Sequence, residues 1–172
     1  MFDLYGLGWG KGAKKEVDKN NINKVYRGPV EDKHEVLKNY KFAFCFENSI
    51  FPGYITEKIF DVMFAGCIPV YCGAPDIKKI VPSDCFVDLR DFKNFSDMTA
   101  FLESINEQVY ANYITNIKNF LNYISTLFEI ALLVGVNIDP TQCQNKIAKK
   151  GLNRRALLKF WSTQFASLLL RR

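Results

Sequence analysis

Histidine is nearly absent from this chain, with His34 the single example among 172 residues. Five cysteines are present (Cys45, Cys67, Cys72, Cys85 and Cys143), but no two stand at CxxC spacing. The ligand pattern of a structural zinc site is therefore missing. An odd number of thiols, mostly set in apolar runs, reads instead as buried free cysteines in a reducing compartment. There is no internal repeat, no low-complexity stretch and no Asp-x-Asp pair. The longest apolar stretch, Leu127 to Ile138, is too short to span a bilayer and is interrupted by Glu129 and Asn137. Met1 to Gly12 lacks an apolar core of signal-peptide length.

What remains is an ordinary globular composition, 48% apolar and 24% charged, with room for one α/β domain and not for two of full size. Its charge is lopsided. Residues 146–172 carry eight basic and no acidic side chains, which leaves residues 1–145 at −3, the difference between the net +5 and that +8. A mildly acidic body with a basic end does not suit nucleic acid, whose footprint belongs on the folded body. It suits contact with an anionic membrane surface.

Along the chain, Phe2 to Tyr5 reads as a first strand stopped by Gly6, Gly8, Gly10 and Gly12, with an irregular loop from Lys11 to Lys24. No helical pattern follows those glycines, so a phosphate-binding loop is not expected there. Glu31 to Tyr40 has helical character. Phe42 to Phe46 runs apolar without alternation, the pattern of a strand buried on both faces of a parallel sheet. Ile55, Ile59, Val62 and Met63 recur at helical spacing up to Gly66, a natural helix stop. Ile68 to Tyr71 and Cys85 to Leu89 are further strands. Ser96 is expected to cap a helix running to about Glu107, with another from about Val109 to Ile124. Leu152 to Leu170 can be drawn as an amphipathic helix, either docked on the domain or lying on a membrane. Alternating strands and helices predict an α/β fold with a parallel sheet, right-handed crossovers and flanking helices.

The groups that could carry chemistry gather after the first buried strand: Glu47-Asn48-Ser49, then Tyr54-Ile-Thr56-Glu57-Lys58. They fall at the strand's carboxyl end and the next helix's start, where open α/β sheets take ligands. A helix N-terminus attracts phosphate. Lys58 would add a full charge for a pyrophosphate, Glu57 could accept from a ribose diol, and Tyr54 could stack on or hydrogen-bond to the nucleotide. A Glu-Lys pair in a first helical turn is equally well a solvated face, and composition alone leaves the two readings level.

Phe44-Cys-Phe-Glu-Asn-Ser49, Tyr54-Ile-Thr-Glu-Lys58, Ala65-Gly66, Ile68-Pro-Val-Tyr71, Gly73-Ala-Pro75 and Asp91-Phe92 together resemble the α-1,3/1,4-fucosyltransferases over roughly residues 25–124. The resemblance implies an α/β, Rossmann-like parallel sheet flanked by helices, the C-terminal, donor-binding half of a two-domain GT-B-type enzyme. Such an enzyme transfers fucose from GDP-fucose to a sugar hydroxyl of a glycan acceptor, on protein or surface polysaccharide, with inversion. It implies that Asn48, Tyr54, Glu57 and Lys58 contact the donor. It requires no cofactor that the sequence shows, and a divalent cation stays open. The expected division is a donor domain over 1–125 and a divergent basic tail over 126–172. The family's upstream arginine, its acceptor domain and the carboxylate acting as general base have no counterpart in these residues, so no catalytic residue is assigned. The alternative is an inactive GDP-sugar-binding module or remnant. Cytoplasmic residence at a membrane surface is expected, with the Golgi membrane as the alternative where an anchor precedes the chain.

Overall fold

In the computed structural model, the residues described are 2–6 and 23–133. Gly8, Gly10, Gly12, most of the Lys11–Lys24 loop, Cys143, the basic run from Lys146 and the amphipathic stretch Leu152–Leu170 lie outside them. The chain forms two compact units, residues 1–36 and 37–172.

The first unit holds two short parallel strands, β1 (Leu4–Tyr5) and β2 (Tyr26–Gly28), with Leu4 opposite Tyr26 and Tyr5 opposite Gly28. The first strand was expected and its partner was not. The Tyr26 hydroxyl donates to the Gly6 carbonyl at 2.9 Å, and Arg27 Nε donates to Asp3 Oδ1 at 2.7 Å. The helix expected over Glu31–Tyr40 shrinks to α1 (Lys33–Leu37), which spans the sequence boundary between the two units.

The second unit is built on three parallel strands in the order β3 (Phe42–Phe46), β4 (Ile68–Cys72) and β5 (Val87–Asp88). Helix α2 (Glu57–Phe64) connects the first two strands. It buries Ile59, Val62 and Met63, as the spacing predicted, together with Ile55 just upstream. Gly66 ends it with φ of 81°, a left-handed value that favours glycine. β4 is the central strand and is nearly solvent-free. Pro69, at its second residue, sits where a missing N–H costs the ladder little.

Helices lie on both faces of this sheet. Side chains alternate along a strand: Cys45 meets α2, its Sγ 3.7 Å from the Lys58 carbonyl. Phe42, on the opposite face, meets Tyr110 edge-on with ring centroids 6.5 Å apart. Tyr110 belongs to α4 (Glu107–Leu133), whose Ile117 and Phe120 enter the core. This helix runs past the expected end at Ile124 to Leu133. Before it, α3 (Phe95–Ser104) is capped by Asn94, whose Oδ1 accepts from the Asp97 amide at 2.9 Å. Ser96 therefore lies inside the helix, and the expected cap is corrected. Asparagine at that position has the reach and the extended backbone that capping needs.

A second correction concerns β3. It was expected to be buried on both faces, yet only Cys45 is fully covered, while Phe44 is 36% and Phe46 47% exposed. At the sheet's edge, the helices cover Phe42 and leave the strand's carboxyl half open on that face. Phe44 and Phe46 cover one another instead, with ring centroids 5.4 Å apart, and Phe44 lies 6.4 Å from Phe95.

Cys45, Cys67 and Cys85 are buried free thiols, and Cys72 is partly covered. Burial pushes Cys67 up to about 11 and, with Asp84 adding to it, Cys85 up to about 12. No helix among the described residues is long and apolar enough to cross a membrane.

The contrast between the two faces is measurable. Ile68→Ala, at a fully buried position, should cost about 2–5 kcal/mol in urea denaturation. Phe46→Ala should cost about 1 kcal/mol or less.

Candidate active site

The site begins with the last rung of the β3–β4 ladder. Beyond Phe46, the Glu47 amide still donates to the Cys72 carbonyl at 3.0 Å. The two-residue period therefore continues by one residue and turns the Glu47 side chain to the Cys45 face, beneath the start of α2. There its carboxylate is wholly buried, with 0% side-chain exposure.

A buried carboxylate is costly unless it is paired and hydrogen-bonded, and this one is. Oε1 accepts from the Thr56 amide at 2.8 Å. Oε2 accepts from the Thr56 hydroxyl at 2.7 Å and from Lys58 Nζ at 3.0 Å. Thr56 is the extended N-cap residue of α2, yet its hydroxyl makes no cap bond to the helix because it serves Glu47 instead. The first-turn amides of α2 thus take no partner from Thr56. They face the carboxyl edge of the sheet with the positive end of the helix dipole.

Gly73 sets the depth of this arrangement. A Cβ placed there would stand 2.5 Å from Glu47 Cγ and 2.7 Å from Tyr71 Cζ, and closer still to the Tyr71 hydroxyl. Glycine is needed here for space. The Tyr71 hydroxyl accepts from the Ala74 amide at 3.0 Å. Burial pushes this phenol up to about 12, with the Glu47 carboxylate adding to the rise against the Ala74 amide. The loop between β3 and α2 is pinned by Asp76, whose Oδ1 accepts from the Gly53 amide at 2.9 Å.

The predicted site residues are unequally placed. Lys58 joins Glu47 and Thr56 and keeps 32% of its side chain exposed. Glu57 stands half-buried in the same helical turn. Tyr54 lies half-buried against Phe51, ring centroids 4.7 Å apart. Asn48 is exposed just past the strand. Among the described residues, no hydrogen bond joins the side chains of Asn48, Tyr54 or Glu57 to the Glu47 cluster. Sequence reasoning did not single out the roles of Glu47, Thr56 and Gly73. The available signal was an acid two positions beyond a buried cysteine on one strand.

The carboxyl end of β5 repeats the pattern. Asp88 lies opposite Tyr71 in the ladder and keeps 3% of its side chain exposed. Its oxygens accept from Arg90 Nε at 2.8 Å, Arg90 Nη2 at 2.7 Å and the Arg90 amide at 3.0 Å. Lys78 stands 3.8 Å from Asp88 and 3.0 Å from Asp91. Burial alone would raise the Asp88 carboxyl, but the Arg90 hydrogen bonds and charge outweigh it and hold it below 3.8. No group of three or more His, Cys, Asp or Glu side chains among the described residues could hold a metal ion.

Two expectations follow. Gly73→Ala should lower the melting temperature clearly, whereas Gly28→Ala, where a Cβ meets open space but φ is 100°, should act through backbone strain alone. For Asp88, a depressed folded-state pKa means stability present above 3.8 and lost as pH falls through the lower folded value. Urea denaturation should therefore show Arg90→Ala weaker than the parent at pH 7, with the gap closing as pH drops below 3.8. A gap independent of pH would contradict the pairing.

A family profile described as "Glycosyltransferase family 10 (fucosyltransferase) C-term" matches residues 8–145. The α-(1,3)-fucosyltransferase FucT of Helicobacter pylori is 42% identical over 77 residues, covering 45% of this chain and 16% of its own length. The 4-galactosyl-N-acetylglucosaminide 3-α-L-fucosyltransferase 9 of Mus musculus is 30% identical over 112 residues, covering 62% of this chain and 31% of its own. A crystal structure of an α1,3-fucosyltransferase superposes with a TM-score of 0.50 at 33% identity, over 57% of this chain and 32% of that one. The chain thus spans a third or less of the length of these relatives.

Proposed function

The chain belongs to glycosyltransferase family 10, the fucosyltransferases, through that family's C-terminal part, and on that premise we propose that it supplies the GDP-fucose site of an enzyme transferring fucose to a glycan hydroxyl. The observation that carries the reading is the Lys58 ammonium, partly exposed at the start of α2 and held in place by the buried Glu47 carboxylate and by Thr56. A cation joined to uncapped helix amides at the carboxyl edge of a parallel sheet is a site for a diphosphate.

In this reading the diphosphate sits at the α2 N-terminus. Lys58 offsets the negative charge that grows on GDP as the glycosidic bond to fucose breaks. Glu57, in the same turn, takes the ribose diol, and Tyr54 and Asn48 line the approach. The acceptor hydroxyl loses its proton to a base on an acceptor-side domain, so that residues 1–125 act as the second of two facing Rossmann-like domains of the GT-B type. The +8 charge of residues 146–172 supports a membrane-surface role for the basic end.

Calorimetric titration of the 172-residue chain with GDP tests this directly. Lys58→Ala should weaken GDP binding by about tenfold or more, the value of a charge-assisted hydrogen bond. Equal affinity in both proteins would remove Lys58 from the donor site. A parallel assay with labelled GDP-fucose and a glycan acceptor separates a transferase from a GDP-sugar-binding module.

A further inference from the structure

We propose that Glu47 is a positioning residue for the donor phosphates, acting through Lys58; the inference rests on the donor-site reading and concerns how that site is aimed. An ammonium has three N–H groups. One is directed to Glu47 Oε2 at 3.0 Å and a second to Thr56 Oγ1 at 3.4 Å. The Thr56 hydroxyl can accept from Lys58 because its own proton goes to Glu47 Oε2 at 2.7 Å. The three groups close a triangle, and one N–H of Lys58 is left for the open side, where the side chain keeps its 32% exposure.

Glu47 is itself immobilised from three directions. Its amide is bonded to Cys72 of the central strand, its Oε1 is held by the Thr56 amide, and its Cγ fills the space that Gly73 leaves. The position of the ammonium is therefore referred to the sheet, through a side chain with no solvent exposure, and not to the four-carbon stem of the lysine. Rotamer freedom that a lysine would lose on meeting a phosphate is already lost on folding. Glu47 never touches the ligand in this arrangement. Its effect is confined to ligands that carry phosphate.

That confinement supplies the test, made in the full 172-residue chain with GDP and guanosine as probes. Glu47→Gln keeps the shape but places an amide donor or a weaker acceptor against Lys58. It should weaken GDP binding about tenfold and leave guanosine binding within about twofold. In a Lys58→Met background, Glu47→Gln should change GDP affinity by no more than about twofold, since groups acting as one unit are non-additive. Equal losses for GDP and guanosine, or a full additive loss in the Lys58→Met background, would overturn the inference while leaving the donor site in place. Wild-type GDP affinity in Lys58→Met alone would overturn both. If Glu47→Gln shows no cooperative melt, Thr56→Val takes its place, because it keeps the amide bond and removes only the hydroxyl. It should weaken GDP about threefold without affecting guanosine, and unchanged GDP affinity would count against the proposal.

Discussion

The arrangement around α2 depends on a single carboxylate kept out of water. Stripping a carboxylate of its solvent costs several kcal/mol that only close, well-directed partners offset. Glu47 obtains them from the two polar groups of Thr56 and from Lys58. Each partner then has little freedom. Thr56 must stay extended, so α2 begins at Glu57; Lys58 must fold back over the strand end; and position 73 must carry no side chain. One desolvated charge thus links the end of β3, the turn after β4 and the first turn of the helix between them.

The end of β5 meets the same problem in another way. Asp88 is as buried as Glu47, but its guanidinium partner comes from two residues along the chain and bonds both oxygens. In both places an acid lies beneath and a basic group reaches the surface. In a parallel sheet, the carboxyl ends of all strands share one edge. At the ends of β3 and β5 the acid of each pair is buried and the basic group is partly exposed, so the hydrogen-bond donors of Lys58 and Arg90 face the side where an anionic ligand would approach.

Much of this fold is legible in the order of the residues, and the limits of that legibility have physical causes. The unbroken apolar runs Phe42–Phe46 and Ile68–Tyr71, the helical spacing of Ile55 to Met63 and the stop at Gly66 all produce the expected elements. Local patterns of that kind depend on short-range geometry. The exposure of Phe44 and Phe46 is not legible, because an apolar run does not tell which strand lies at an edge. Neither is the pairing of β1 with β2, which joins segments far apart in the chain with little hydrophobic alternation. Asn94 in place of Ser96 reflects two competent caps within three residues, a choice that packing makes. Lys58 is legible as a candidate from its place in a helix's first turn, with composition alone leaving it level with a solvated face. Glu47 is not, because its importance comes from burial, and a glutamate in a sequence carries no mark of burial.

The central proposal is that Lys58, held by a buried Glu47, meets the phosphates of a guanine nucleotide at the start of α2. A crystal structure of the chain with GDP tests this most directly. The predicted result is a diphosphate at the amides of residues 57–59, within hydrogen-bond distance of Lys58 Nζ, with the Glu47–Lys58 pair intact. A nucleotide bound elsewhere, or Lys58 swung off Glu47 to reach it, would contradict that claim.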